Sequence, residues 1–71
     1  MPKLPRLSGK NVVRALKRLG VAEVGQRGSH VVLRRGSSGC VVPLHAEVKV
    51  GTLAGVLRQA DVTVDEFVAA M

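Results

Sequence analysis

Gly28-Ser29-His30-Val31-Val32-Leu33-Arg34-Arg35-Gly36-Ser37-Ser38-Gly39-Cys40-Val41-Val42-Pro43-Leu44-His45 decides the fold, because two alternating apolar runs flank a Gly/Ser-rich break. His30 to Arg35 and Cys40 to Leu44 read as antiparallel strands, with Gly36-Ser37-Ser38-Gly39 as the hairpin loop between them. A loop of that length makes Arg35 face Cys40, Val32 face Pro43 and His30 face His45. Proline has no N–H to give to a sheet ladder, so the 32–43 pair is expected at a non-hydrogen-bonded position. Strict alternation then makes 30–45 non-hydrogen-bonded as well. Side chains in such pairs stand close, with Cβ atoms about 4.5–5.5 Å apart, so two imidazoles are expected side by side at the end of the hairpin away from its loop. The same alternation puts Val31, Leu33, Cys40, Val42 and Leu44 on a core face. His30, Val32, Arg34, Val41, Pro43 and His45 fall on an open, half-apolar face suited to RNA.

Before the hairpin, Ser8 is a good N-cap, Val12, Leu16 and Leu19 recur at helical spacing with Val13 beside them, and Gly20 follows the last turn. These predict a helix over Gly9 to Leu19. Its outer face carries Lys10, Arg14, Lys17 and Arg18, of which the first three repeat the helical spacing and form a basic stripe suited to phosphate contact or to solvent. Val21 to Val24 is a short first strand, ended by Gly25 and the loop Gln26-Arg27-Gly28. After the hairpin, Ala46 to Gly51 is a loop and Thr52 is the expected cap of a second helix with Leu53, Val56, Leu57 and Ala60 on one face. Asp61-Val62 breaks that helix. Thr63-Val64-Asp65-Glu66 has the spacing of a capping box opening a short terminal helix that buries Phe67 or Val68. The fold class is therefore α+β.

Seventy-one residues allow one domain, residues 1–71, with a small core and no deep pocket, so a substrate is expected on a surface. Eleven Lys and Arg against five Asp and Glu give a net charge of +6. Asp61 to Met71 holds three of the acids and no base, which leaves residues 1–60 with eleven bases and two acids (Glu23, Glu47), a net of +9. Such an imbalance suits a polyanion such as nucleic acid. Cys40 has no cysteine to pair with, and one Cys with two His is short of a structural zinc set. Cys40 is best read as a small buried hydrophobe. No stretch approaches the roughly twenty apolar residues of a membrane span, and no apolar run follows Met1-Pro2-Lys3-Leu4-Pro5-Arg6 to make a signal sequence. A reducing cytoplasm is the expected setting, with no membrane contact.

Basic charge with the order helix, three strands, helix, short helix suggests a double-stranded-RNA-binding-like layout. The chain also resembles the HicA family of toxins from bacterial toxin–antitoxin pairs. The matching stretches are Ser8-Gly9-Lys10, Leu16-Lys17-Arg18-Leu19-Gly20, Gln26-Arg27-Gly28-Ser29-His30, Pro43-Leu44-His45, and Gly51-Thr52-Leu53 through Val56-Leu57-Arg58-Gln59-Ala60. They cover most of the chain in order, and Val21 departs from the aromatic that many relatives carry there. The resemblance implies a small ribonuclease that cleaves mRNA, uses the histidine at position 30, and is neutralised by a HicB antitoxin covering the active surface.

The residues themselves support that chemistry. Histidine exchanges protons near neutral pH, and Gly28 with the small Ser29 can present the His30 ring at the mouth of a strand. RNA carries its own nucleophile in the 2′-hydroxyl, so one base could suffice without a metal or other cofactor. His45 is the nearest candidate to protonate the departing oxygen. Lys10, Arg27 or Arg34 could hold the phosphate, with Arg14 on the same helical stripe as Lys10 and with Gly28 and Ser29 completing the surface around the base. The main alternative is an RNA-binding module without catalysis, and a further one is a protein-interaction domain. Phe67 as sole aromatic argues against a base-stacking platform.

Overall fold

In the computed structural model, which describes residues 3–71, Ser8 caps α1 (Gly9–Arg18) by accepting the Asn11 backbone N–H at 3.2 Å. The helix ends as its sequence requires: Gly20 takes φ 83, its N–H reaches the Lys17 carbonyl, and the Val21 N–H reaches that of Leu16. This paired closure satisfies two carbonyls that the last turn would leave open, and it buries Val21 beside Leu16. Three strands follow, β1 (Ala22–Arg27), β2 (His30–Arg35) and β3 (Ser38–Pro43), then α2 (Val50–Ala60) and α3 (Val64–Ala69). The strands make one antiparallel sheet in the order β1-β2-β3. The layout is the expected α+β arrangement of helix, three-stranded sheet, helix and short C-terminal helix.

The hairpin register differs from the sequence expectation by two residues. Arg35 pairs with Ser38, Leu33 with Cys40, Val31 with Val42, and His30 with Pro43 rather than with His45. The loop is Gly36-Ser37 alone. Gly36 has φ 60 while Ser37 does not share the positive value, which is the type II′ arrangement whose twist matches that of the flanking strands. Gly28-Ser29 repeats the device: Gly28 has φ 57, and Arg27 pairs with His30 across the turn. Gln26 and Arg27, expected in a loop, are therefore strand residues, and β1 runs from Ala22 instead of Val21. Because side chains alternate with period two, a two-residue slip leaves the face assignments within the paired strands intact.

Val31, Leu33, Cys40 and Val42 accordingly face the helices and are buried with Val12, Leu16, Leu53, Leu57 and Phe67. The opposite face of the sheet is open. β1 is exposed along its whole length, and a bulge between Glu23 and Gly25 turns Val24 outwards.

The second helix begins earlier than Thr52. Lys49 is its N-cap with no side-chain bond, and the Leu53 N–H closes the first turn on the Lys49 carbonyl. The cause lies just upstream: Val48 is buried and donates its N–H to the Leu7 carbonyl at 2.7 Å, which pins the chain so that the helix starts at once. At the other end Asp61 adopts φ 56 and the Val62 N–H closes on Leu57. The capping box of α3 forms in both directions, Glu66 N–H to Thr63 Oγ1 at 3.1 Å and Thr63 N–H to Glu66 Oε1 at 3.0 Å, and Phe67 is fully buried. Arg35 donates to the Asp61 carbonyl and lies 3.8 Å from Glu66, while Arg18 donates to the Ala70 carbonyl. Two arginines thus fasten the C-terminal segment to the body.

The hydrogen bonds with the Thr63 backbone and hydroxyl, and the nearby Arg35, hold the Glu66 carboxyl below its usual 4.5. A lowered folded-state value means that the stabilisation is complete above the unfolded value and is lost as pH falls through the folded one. Glu66→Gln keeps a side-chain acceptor but not the charge. Its thermal midpoint should therefore lie below that of the wild type at pH 6, and the gap should close as both are titrated to pH 3.

Candidate functional site

A histidine immediately after a tight turn is placed by whatever fixes that turn. The Gly28-Ser29 turn is held on both of its peptides: the Gln26 side-chain amide donates to the Gly28 carbonyl at 2.9 Å, and the Leu44 N–H donates to the Ser29 carbonyl at 2.6 Å. Since 29–44 is a hydrogen-bonded position, the next pair, His30 with Pro43, is a non-hydrogen-bonded one. The proline rule thus holds with a different partner. His30 is exposed on the open face, between Arg27 of β1 and Pro43 of β3.

The end of β3 is held in turn by α1. The Gly9 N–H donates to the His45 carbonyl at 2.9 Å, and a Cβ on Gly9 would stand 2.1 Å from the Pro43 oxygen and 2.7 Å from the Leu44 Cα. The helix can approach this closely because position 9 has no side chain. Ser8-Gly9-Lys10, Gly28-Ser29-His30 and Pro43-Leu44-His45, far apart in sequence, therefore meet at one end of the sheet. His45 is exposed and belongs to this end, but it lies beyond the last strand residue instead of across from His30.

The expected substrate residues divide. Arg27, Gly28, Ser29 and His30 form one corner of the open face. Arg34 shares that face towards its other end, beside a shallow groove lined by Val24, Val32, Gly39 and Val41. Lys10 is in the first turn of α1, next to the Gly9 contact. Arg14 lines a separate cleft with Asn11, Arg18 and Met71. Three ion pairs form among the described residues, Arg6–Glu47 at 3.4 Å, Lys17–Glu23 at 3.1 Å and Arg35–Glu66 at 3.8 Å, and none engages Lys10, Arg14, Arg27 or Arg34. Lys17, by contrast, leaves the basic stripe for Glu23.

Burial pushes the Cys40 thiol up from its usual range, so it stays protonated and packs as a hydrophobe. Among the described residues no group of three or more His, Cys, Asp or Glu side chains gathers into a metal-binding cluster, and no helix is long and apolar enough to cross a membrane. Two contributors were missed in the sequence. Gln26 has a readable signal, an amide two residues before a turn glycine and within reach of its carbonyl. Gly9 has none, because its role depends on a backbone that arrives from position 43.

With this geometry, the arrangement can take a proton at an exposed imidazole next to a guanidinium free of carboxylate partners. A family model described as the HicA toxin of bacterial toxin–antitoxin matches residues 9–62. No curated protein matches the chain.

Replacing Gly9 by Ala should force α1 away from Pro43 and Leu44, because the obstructing atoms are backbone and cannot rotate aside. The cost expected for such overpacking is about 1–3 kcal/mol, read as a lower midpoint in urea unfolding. Slowed hydrogen exchange at Leu44 and Val48, or an unchanged midpoint, would contradict the contact.

Proposed function

The chain belongs to the HicA family of toxins from bacterial toxin–antitoxin pairs, and from that premise we propose that it is a metal-independent endoribonuclease acting on mRNA, with His30 as the general base. The observation that carries the reading is the exposure of His30 at a braced corner of the open sheet face, with Arg27 directly across from it. In the proposed reaction His30 removes the proton of a ribose 2′-hydroxyl, whose oxygen attacks the adjacent phosphorus. The bond to the 5′-oxygen breaks, leaving a 2′,3′-cyclic phosphate and a 5′-hydroxyl end. His45, the other imidazole at this end, is the candidate to protonate the departing oxygen. Lys10, Arg14, Arg27 and Arg34, with the turn residues Gly28 and Ser29, bind the RNA. The partner that silences the toxin is a HicB-type antitoxin covering this corner, and the setting is the cytoplasm, where mRNA is found.

The test is cleavage of a defined RNA in EDTA by wild type, His30→Ala and His45→Ala, beside a substrate with 2′-deoxy sugars. The wild type should cut the RNA in EDTA and leave the deoxy strand whole. His30→Ala should lose about 10²–10⁴-fold in rate, the usual contribution of a positioned general base. Salt-dependent RNA binding without cut products would identify a binding module in place of a nuclease.

A further inference from the structure

We propose that Arg27 is a catalytic residue, the group that stabilises the charge developing on the scissile phosphate while His30 takes the proton. This rests on the nuclease reading above and assigns a second role within the same site.

Three observations carry it. Arg27 and His30 are cross-strand partners flanking the turn, a pairing in which Cα atoms stand about 5.5 Å apart and both side chains rise from the same face. Next, the turn between them is fixed by the Gln26 amide on the Gly28 carbonyl and by the Leu44 N–H on the Ser29 carbonyl, so the two backbone positions from which the side chains rise keep their separation. Finally, no other cation shares the row of His30. The row across the sheet at His30 is Arg27, His30, Pro43, and Pro43 has no donor to offer. Arg34 is four residues along β2, about 13 Å away at the rise of an extended strand. Lys10 stands at this end of the sheet but on α1, which packs against the other face, Arg14 lies one turn further along that helix, and Arg6, Lys17 and Arg35 already face carboxylates.

The chemistry fits a guanidinium. As the 2′-oxygen closes on phosphorus, negative charge accumulates on the two non-bridging oxygens, and a planar fork of N–H donors matches that pair. Arg27 neither gains nor loses a proton. The proton of the 2′-hydroxyl goes to the imidazole, and the departing 5′-oxygen receives its proton from a separate acid or from water. A donor aimed at charge that exists only in the transition state raises kcat more than it lowers KM.

The experiment compares wild type, Arg27→Ala, Arg27→Lys, Arg34→Ala and His30→Ala, measuring kcat and KM on an RNA and the affinity for its uncleavable 2′-deoxy counterpart. Arg27 is exposed, so thermal midpoints of its variants should match that of the wild type. Arg27→Ala is expected to lower kcat by about 10²–10³-fold, the effect of removing one donor to a transition-state oxyanion, while its affinity for the deoxy strand falls no further than that of Arg34→Ala. Arg27→Lys should recover only part of the rate, since an ammonium cannot form the paired contact. An Arg27→Ala variant that keeps kcat within a few-fold, or that loses efficiency through KM alone, overturns the assignment and makes Arg27 an ordinary binding cation. If His30→Ala is inactive in that case, the nuclease reading survives. If His30→Ala cuts as well as the wild type, or the wild type does not cut at all, both fall together.

Discussion

The contact on which the rest depends is the close approach of α1 to the end of β3 at Gly9. A first-turn glycine lets the helix lie on the Pro43 and Leu44 backbone, and the Gly9 N–H reaches the His45 carbonyl. Held there, Leu44 presents its own N–H to Ser29, and Ser29 belongs to the turn that launches His30. A chain of backbone contacts therefore runs from the first helix to the exposed imidazole without passing through a flexible side chain. In a domain with a small core this is an economical way to hold a surface residue still, because each link is a hydrogen bond between groups that need partners in any case.

Local signals in the sequence were sufficient for α1, for α3 and for the faces of the sheet. Ser8, Gly20 and the Thr63–Glu66 box act through neighbours within four residues, so spacing alone reveals them. The face assignment survived a wrong register because it depends only on whether a position is odd or even. Pairing was harder, since Gly36-Ser37-Ser38-Gly39 is compatible with loops of more than one length, and the choice falls to strand twist that composition does not encode. The two Gly-Ser dipeptides, at 28–29 and 36–37, were the overlooked clue, each placing glycine where a positive φ is required. The start of α2 was beyond local reading, because it is set by Val48 bonding to Leu7, a contact between distant parts of the chain.

Charge was legible as a total and along the chain, but not in which cations the fold leaves free. On the basic face of α1, Lys17 leaves the stripe for Glu23, and its neighbour Arg18 turns to the Ala70 carbonyl. Arg35 likewise serves the C-terminal segment, although it neighbours Arg34, which remains on the open face. Adjacent strand residues point to opposite sides, so one arginine of the pair became a structural clamp and the other stayed free for a ligand. Of the candidate site, His30 and Arg34 could be placed from alternation, whereas Arg27, expected in a loop, and the separation of His45 from His30 followed only from the true strand pairing.

The sheet has two borders, and each is guarded against growth. On β1 the bulge at Val24 interrupts the even ladder that an incoming strand would need. On β3 the residue paired at a non-hydrogen-bonded position points its amide nitrogen outwards, and at 43 that nitrogen carries no hydrogen. An unprotected strand edge would otherwise be a template for pairing with another chain. Here the same proline that neighbours the imidazole also removes one donor from the open border of β3, so edge protection and site architecture share a single ring.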